Sequence, residues 1–457
     1  MSVDDTPADT ADADRKKNTY HFDRHTPEYR LQFEKITEEM QTRCPMAWSD
    51  TYDGHWVAAG SKEVFELARC PAVSNDHDVT GEGSGYQGIT IPKASRATVV
   101  RGGLLEMDEP DHGTYRGALN PYLSPAAIKR WEPFIDEITR AALDEHIESG
   151  TIDFVDHLAN VVPAVFTLAM MGIELNKWKL YSEPTHASVY TPEHSPEREK
   201  INAQHREMGI DILNNMIEIR ENPRPGLVNA LLQLRIDGEP APDIEILGNL
   251  GLIIGGGFDT TTALTAHSLE WLGYHPEERE RLSRERDTLL DPATEEFLRF
   301  FTPAPGDGRT FSEDVEFEGT RFKEGERLWI SWAMANRDPS VFPEPNEIIM
   351  DRKGNRHFSF GIGVHRCVGS NVARTVFKSM LTAVLDRMPD YVCDPEGTVH
   401  YETIGVIQGM QHLPATFTPG PKLGPGLDET LEKLQRICVE QELARPITER
   451  KERAVID

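Results

Sequence analysis

The chain has 457 residues, 38% of them hydrophobic, and a formal net charge of −28. The apolar share makes it globular, and the acidic excess excludes general nucleic-acid binding, because phosphate contacts need a basic face. No apolar stretch approaches the roughly 20 residues that a membrane-spanning helix requires, so no membrane anchor is expected.

The opening residues, MSVDDTPADTADADRKKN, are acidic and small. They lack the basic start and apolar run of a secretory signal. Residues 1–19 therefore read as a disordered leader, and the protein as cytoplasmic. Trp56 to Gly60 predicts a short strand and turn, followed by a helix over SKEVFELARC. Residues 79–104 are rich in glycine and have no helical period, and so long a loop in a compact protein is commonly functional, often a lid. MDEPDHGTYRGALNPYLSP is a turn leading into a short helix. Ile128, Trp131, Phe134, Ile135 and Ile138 recur at helical spacing and read as core. Phe154 to Ile173 is an apolar helix of buried type, and a charged helix then runs from Thr191 to the breaker ENPRPG.

Pro242 opens a long helix, DIEILGNLGLIIGGGFDTTTALTAHSLEWL, which stops before His275-Pro276. After Pro303 the texture changes. VEFEGTRFKEGERLWISW alternates and turns at glycine, as strands do. NVARTVFKSMLTAVLDRM returns to helix. Leu427, Leu431, Leu434 and Ile437 make a helical stripe, so residues 422–457 read as a C-terminal extension packed on the body. The fold class is mainly α with a minor β part.

The five cysteines, Cys44, Cys70, Cys367, Cys393 and Cys438, are odd in number and scattered. Without CxxC or CxxCH there is no zinc ribbon, dithiol redox site or covalently attached haem. Free thiols fit a reducing compartment. One of them has unusual surroundings, FSFGIGVHRCVG at residues 358–369. Cys367 immediately precedes a predicted helix, whose unpaired N–H groups and dipole favour thiolate over thiol. Gly361, Gly363 and Gly369 remove side chains where a flat ligand would approach the backbone. Phe360 offers an aromatic wall, and His365 and Arg366 offer donors to acidic groups. A thiolate beside a flat, anionic partner describes cysteine-ligated haem. The competing Cys/His nucleophile pair typically draws its members from distant positions, whereas here they are two residues apart.

Phe360, Gly363, Cys367 and Gly369 match each fixed position of F-x-x-G-x-x-x-C-x-G, and the chain resembles the cytochrome P-450 family over residues 20–421. The resemblance implies one domain, a triangular helical body around a buried heme b (iron protoporphyrin IX), with Cys367 on the metal. It implies a monooxygenase that inserts one atom of O2 into a hydrophobic small molecule, by hydroxylation or epoxidation.

Gly255, Gly256 and Gly257 sit inside the long helix, where each costs about 1 kcal/mol relative to alanine. Such a helix either widens locally beside a ligand or crosses a neighbour closely. In the resembled family this stretch crosses the distal face of the haem, with Gly256 in the groove for dioxygen, and Asp259 and Thr260 match the acid–alcohol pair. A carboxylate can relay protons, and a hydroxyl can donate one or hold a water.

Glu296 and Arg299, three apart on a helix, read as a structural ion pair. By the same resemblance His112, Arg116, Arg309 and His365 supply donors for the two haem carboxylates, with His357 a weaker fifth. Phe258, Ala304, Ile404 and Val406 would face the substrate pocket together with the 79–104 loop. Their apolar character favours a terpenoid, steroid or fatty acid. No flavin or iron–sulfur domain is attached, so electrons are expected from a separate ferredoxin and its reductase, docking on Arg352, Lys353, Arg356 and Arg366. Two alternatives keep the haem: a peroxide-using enzyme, whose kind generally lacks the acid–alcohol pair, and a haem sensor, which needs no proton relay.

Overall fold

Residues 15–81, 88–92 and 101–447 are described by the computed structural model. Among them the helices dominate: α1 (Pro27–Arg43), α2 (Asp111–Leu123), α3 (Glu132–Asp144), α4 (Val161–Met171), α5 (Trp178–Tyr190) and α6 (Pro196–Glu221) precede the centre of the chain. Next come α7 (Asp243–Gly257), α8 (Asp259–Tyr274), α9 (Arg286–Phe301), α10 (Ser370–Arg387) and α11 (Leu427–Glu440). The pattern of apolar residues decides their depth. In α4 every residue is buried, as a helix apolar all round requires. In α3 the spaced Phe134, Ile135 and Ile138 face inward. With Phe377 and Leu381 of α10 and Leu264 and Leu269 of α8 they form the main core.

Five short strands make the larger sheet: β1 (Met46–Ser49), β2 (His55–Ala58), β3 (Val73–Ser74), β4 (Asp307–Phe311) and β5 (Arg327–Ile330), in the order β1-β2-β5-β4-β3. The β5–β2 pair is parallel and sets Leu328 opposite Trp56, while the other pairs are antiparallel. A second core of Phe22, Tyr29, Phe33, Trp329 and Ile404 joins α1 to this sheet.

One expectation changes at the start of the chain. Residues 15–19, read as part of a disordered leader, are tied to the sheet. Trp48 N donates to Asn18 O at 3.0 Å, and Tyr20 N donates to Trp48 O at 2.9 Å. Arg15 pairs with Glu326 and lies 4.8 Å over the Trp48 ring. A cation with a carboxylate and an aromatic face within reach has reason to stay. The rest of the expected leader, residues 1–14, lies outside the described residues. At the other end, Leu431 and Leu434 of α11 enter the main core. Arg140 of α3 donates to Thr430 Oγ1 and to Pro425 O, each at 2.9 Å.

Most of the 79–104 loop, at 82–87 and 93–100, is outside the described residues. Its end is pinned to α7. Leu104 N donates to Asn249 Oδ1 at 3.0 Å, and at Gly103, with φ of +61°, a Cβ would fall 2.9 Å from Asn249 Cα. No helix among the described residues is long and apolar enough to cross a membrane.

Candidate functional site

The loop before α10 holds its shape through backbone geometry. Gly361 and Gly363 have φ of +63° and +76°, which L side chains rarely adopt. Cys367 N donates to Phe360 O at 2.7 Å, closing the loop. These two glycines therefore serve the turn itself. A Cβ on Gly369 would sit 3.9 Å from the Cys367 sulfur, an ordinary contact, so the structure does not require glycine there. The sulfur is accessible, yet protein atoms crowd around it. Burial pushes the Cys367 thiol up, while the Gly369 N–H, Arg116, Arg366 and Arg374 pull it back without winning. The expected thiolate is thus not favoured by the helix terminus alone, because desolvation outweighs one N–H and three partly screened cations.

Beside this loop the structure gathers the four expected donors. His112, 1% exposed, has Nδ1 at 3.2 Å from Glu109, while its Nε2 is buried with no hydrogen-bond partner. His365 Nδ1 is likewise buried and unpartnered, and the two rings lie 4.4 Å apart. Burial first, then the charges of Arg309, His112 and Arg116, push His365 down to about 3. Arg309 is buried in the middle of β4 and spends one hydrogen bond on Gly308 O, at 2.8 Å. Arg116 Nη2 donates to Arg366 O at 2.6 Å. Buried, mutually repelling donors with two orphaned nitrogens suit an acidic ligand. His357 does not join them, because Glu295 holds its Nε2 at 3.0 Å.

The long predicted helix is two helices. Phe258, with φ −91° and ψ −77°, breaks it between α7 and α8. The three glycines divide between the two explanations for them. A Cβ on Gly255 or Gly256 would meet nothing within 4 Å, whereas one on Gly257 would lie 2.9 Å from Thr167 Oγ1 of α4. Gly257 permits a close helix crossing, and Gly256 leaves space. Thr260 Oγ1 donates back to Gly256 O at 2.8 Å.

Asp259, 2% exposed, points elsewhere. Its Oδ1 lies 2.6 Å from His186 Nδ1, and Tyr401 OH donates to both carboxylate oxygens at 3.0 Å. His186 and Tyr401 escaped sequence reading, being 73 and 142 residues away in the chain. The only signal was that a carboxylate among apolar neighbours must find partners.

Of the four expected pocket positions, Phe258 and Ile404 are closed into the two cores, at 2% and 3% exposed. Both are aromatic or branched apolar groups with packed neighbours on every side. Ala304 is half-buried and Val406 is 56% exposed, so these two keep accessible side chains.

The supporting pair is fully buried. Arg299 Nε and Nη2 reach the Glu296 oxygens at 2.9 and 2.8 Å, with neither side chain exposed. Arg299 also donates to the carbonyls of Asn336, Pro345 and Glu347. Arg352, expected in the docking cluster, is drawn into this network. Its side chain is 5% exposed and pairs with Glu296. Lys353, Arg356 and Arg366 stay exposed, and none has an ion pair among the described residues.

The sequence model of the cytochrome P-450 family matches residues 194–389. A steroid C26-monooxygenase of Mycobacterium tuberculosis is 30% identical over 326 residues, which cover 70% of this chain and 87% of that protein. A linalool 8-monooxygenase of Pseudomonas putida is 28% identical over 363 residues, covering 74% and 86%. Among solved structures, the crystal structure of CYP109E1 from Bacillus megaterium in complex with testosterone aligns with a TM-score of 0.74 at 28% identity, over 86% of this chain and 99% of that one.

Proposed function

The chain belongs to the cytochrome P-450 family and is a haem monooxygenase, and from that premise we propose that Cys367 is the thiolate ligand of its haem. The residues present fit the group. The observation that carries the reading is the pair of orphaned, buried nitrogens, His112 Nε2 and His365 Nδ1, beside Arg309 and Arg116. Two carboxylates would satisfy them. Cys367 is exposed at this turn, where a ligand can reach it. A metal at that sulfur would favour the thiolate against the burial that raises it.

When bound, the haem supplies the activation of O2 and the insertion of one oxygen atom into substrate. The protein's own part is positioning and proton supply. Gly256 keeps the face of α7 free of a side chain, and Thr260 offers a hydroxyl at the same point. Asp259 holds a proton source one residue away, shielded from bulk water. The substrate class is an apolar small molecule of terpenoid or steroid type. The names of the related linalool and steroid monooxygenases support this class. Electrons come from a separate acidic ferredoxin docking on Lys353, Arg356 and Arg366.

The test is the carbon monoxide difference spectrum of the reduced protein, wild type against Cys367→Ala. A far red-shifted Soret band in the wild type alone is the expected result. A wild type without that band overturns the assignment.

A further inference from the structure

Asp259 has both carboxylate oxygens occupied by protein and is 2% exposed, so α8 offers it no direct contact with water. A group that must be reprotonated at every turnover needs a route inward. Tyr401 is a closed end: among the described residues its hydroxyl bonds only to Asp259 and His186, and burial, with Asp259 next, raises it far above the usual phenol range. His186 is different. Its Nδ1 faces Asp259, while its Nε2 is buried with no protein partner. His186 also lines a cavity of about 880 Å³ formed by α5, α6, the segment before α4, the end of α3 and the start of α11.

That space suffices for many waters at about 30 Å³ each, and Nε2 of His186, a residue that lines it, is a buried ring nitrogen in want of a partner. The cavity is lined by proton-exchanging groups, Asp156, Glu183 and Glu197 among them, and by the cations Lys179 and Lys200. We propose that His186 is the proton entry to Asp259, passing protons from this cavity to the distal acid. The inference rests on the role proposed above for Asp259.

The step balances as a shuttle. Water in the cavity gives a proton to Nε2, and the hydrogen on Nδ1 crosses 2.6 Å to Asp259 Oδ1. The ring is left neutral with its hydrogen on Nε2, and Asp259 is left neutral until it hands its proton on towards Thr260. A turn of the ring about its Cβ–Cγ bond then takes the bare Nδ1 away from Asp259 to collect a proton, the Nε2 proton returns to the cavity, and the ring turns back with Nδ1–H facing Asp259, so that each cycle moves one proton inward. Histidine suits this because it holds and releases a proton near neutral pH, whereas an arginine or lysine at the same place would only anchor the carboxylate.

His186→Asn separates shuttle from anchor, since its amide can still donate from the Nδ1 position but cannot carry a proton. The expected result is at least a roughly tenfold fall in product formed per unit time, with more electrons lost to uncoupled reduction and partial rescue by free imidazole. Turnover and coupling equal to the wild type overturn the relay. A second readout does not depend on turnover. In the ring-15N-labelled wild-type ferrous carbonyl protein, His186 should carry its hydrogen on Nδ1 and leave Nε2 bare. A ring with a bare Nδ1 facing Asp259 at rest overturns the proposed direction. The carbon monoxide spectrum is recorded on the same samples. A missing thiolate band in the wild type overturns both this relay and the Cys367 assignment, whereas a normal band with an unimpaired His186→Asn overturns the relay alone.

Discussion

Arg352 Nε lies 3.0 Å from each carboxylate oxygen of Glu296, which already carries the Arg299 pair on its own helix. Asn355 Nδ2 and Ile349 N add two more donors to that carboxylate, at 3.0 and 2.8 Å. One buried charge thus ties α9 to the segment that leads into the Cys367 loop. Replacing Glu296 by alanine strands two buried guanidinium groups, and should cost about 3–5 kcal/mol in urea unfolding. Arg352→Lys should lose part of that, because an ammonium cannot reproduce the fork. Equal stability of Glu296→Ala and wild type would contradict the network's role.

The exposed cations make a separate prediction. Reversing Lys353, Arg356 and Arg366 to glutamate should leave the carbon monoxide spectrum and thermal midpoint in place. Reduction by an acidic ferredoxin should slow by roughly tenfold or more at low salt, since like charges oppose docking. The wild-type rate should itself fall as salt rises. Stopped-flow reduction at two ionic strengths reads both, and a salt-independent wild type would remove the docking surface.

Neighbouring glycines should respond in opposite ways. Gly257→Ala drives a Cβ to 2.9 Å from Thr167 Oγ1 and should destabilise the fold by about 1–3 kcal/mol. Thr167→Ala in the same chain should recover much of it. Gly256→Ala meets nothing within 4 Å and gains helix propensity, about 1 kcal/mol, so its thermal midpoint should hold or rise. Its product yield should fall, because the new methyl stands on the face proposed for O2. Thermal melts and product yield for the two variants separate these effects.

Acid should find two of the paired carboxylates. Burial raises Glu295, but hydrogen bonds and charge from Arg374 and His357 outweigh it and hold the group at about 2, against an ordinary 4.5. Glu270, similarly buried, is held at about 2 by His267 and His400. A carboxyl depressed in the folded state stabilises the fold fully above its unfolded value and loses that contribution as pH falls. The gap in melting temperature between wild type and Glu295→Gln should therefore be widest near pH 7 and close between about pH 4.5 and 2. A gap that is constant across that range would show that the pairing contributes nothing through Glu295 ionisation.

Local pattern carried much of this protein. Apolar periodicity located α3 and α4, and glycine spacing marked the loop at Cys367, while the three consecutive glycines drew attention to the end of α7 without revealing the break at Phe258. Each of these is a property of residues a few positions apart, where backbone geometry and helical spacing act directly. The E-x-x-R pair was legible for the same reason, since residues three apart on a helix share a face. What the fold alone settled involves groups brought together from afar. Asp259 turned to His186 and Tyr401, 73 and 142 residues distant. Arg352 left the basic cluster for Glu296, 56 residues back in the chain. The Cys367 thiol followed its burial rather than its helix terminus. Partner choice and desolvation depend on which surfaces close over a charge, and no short stretch of sequence contains that information.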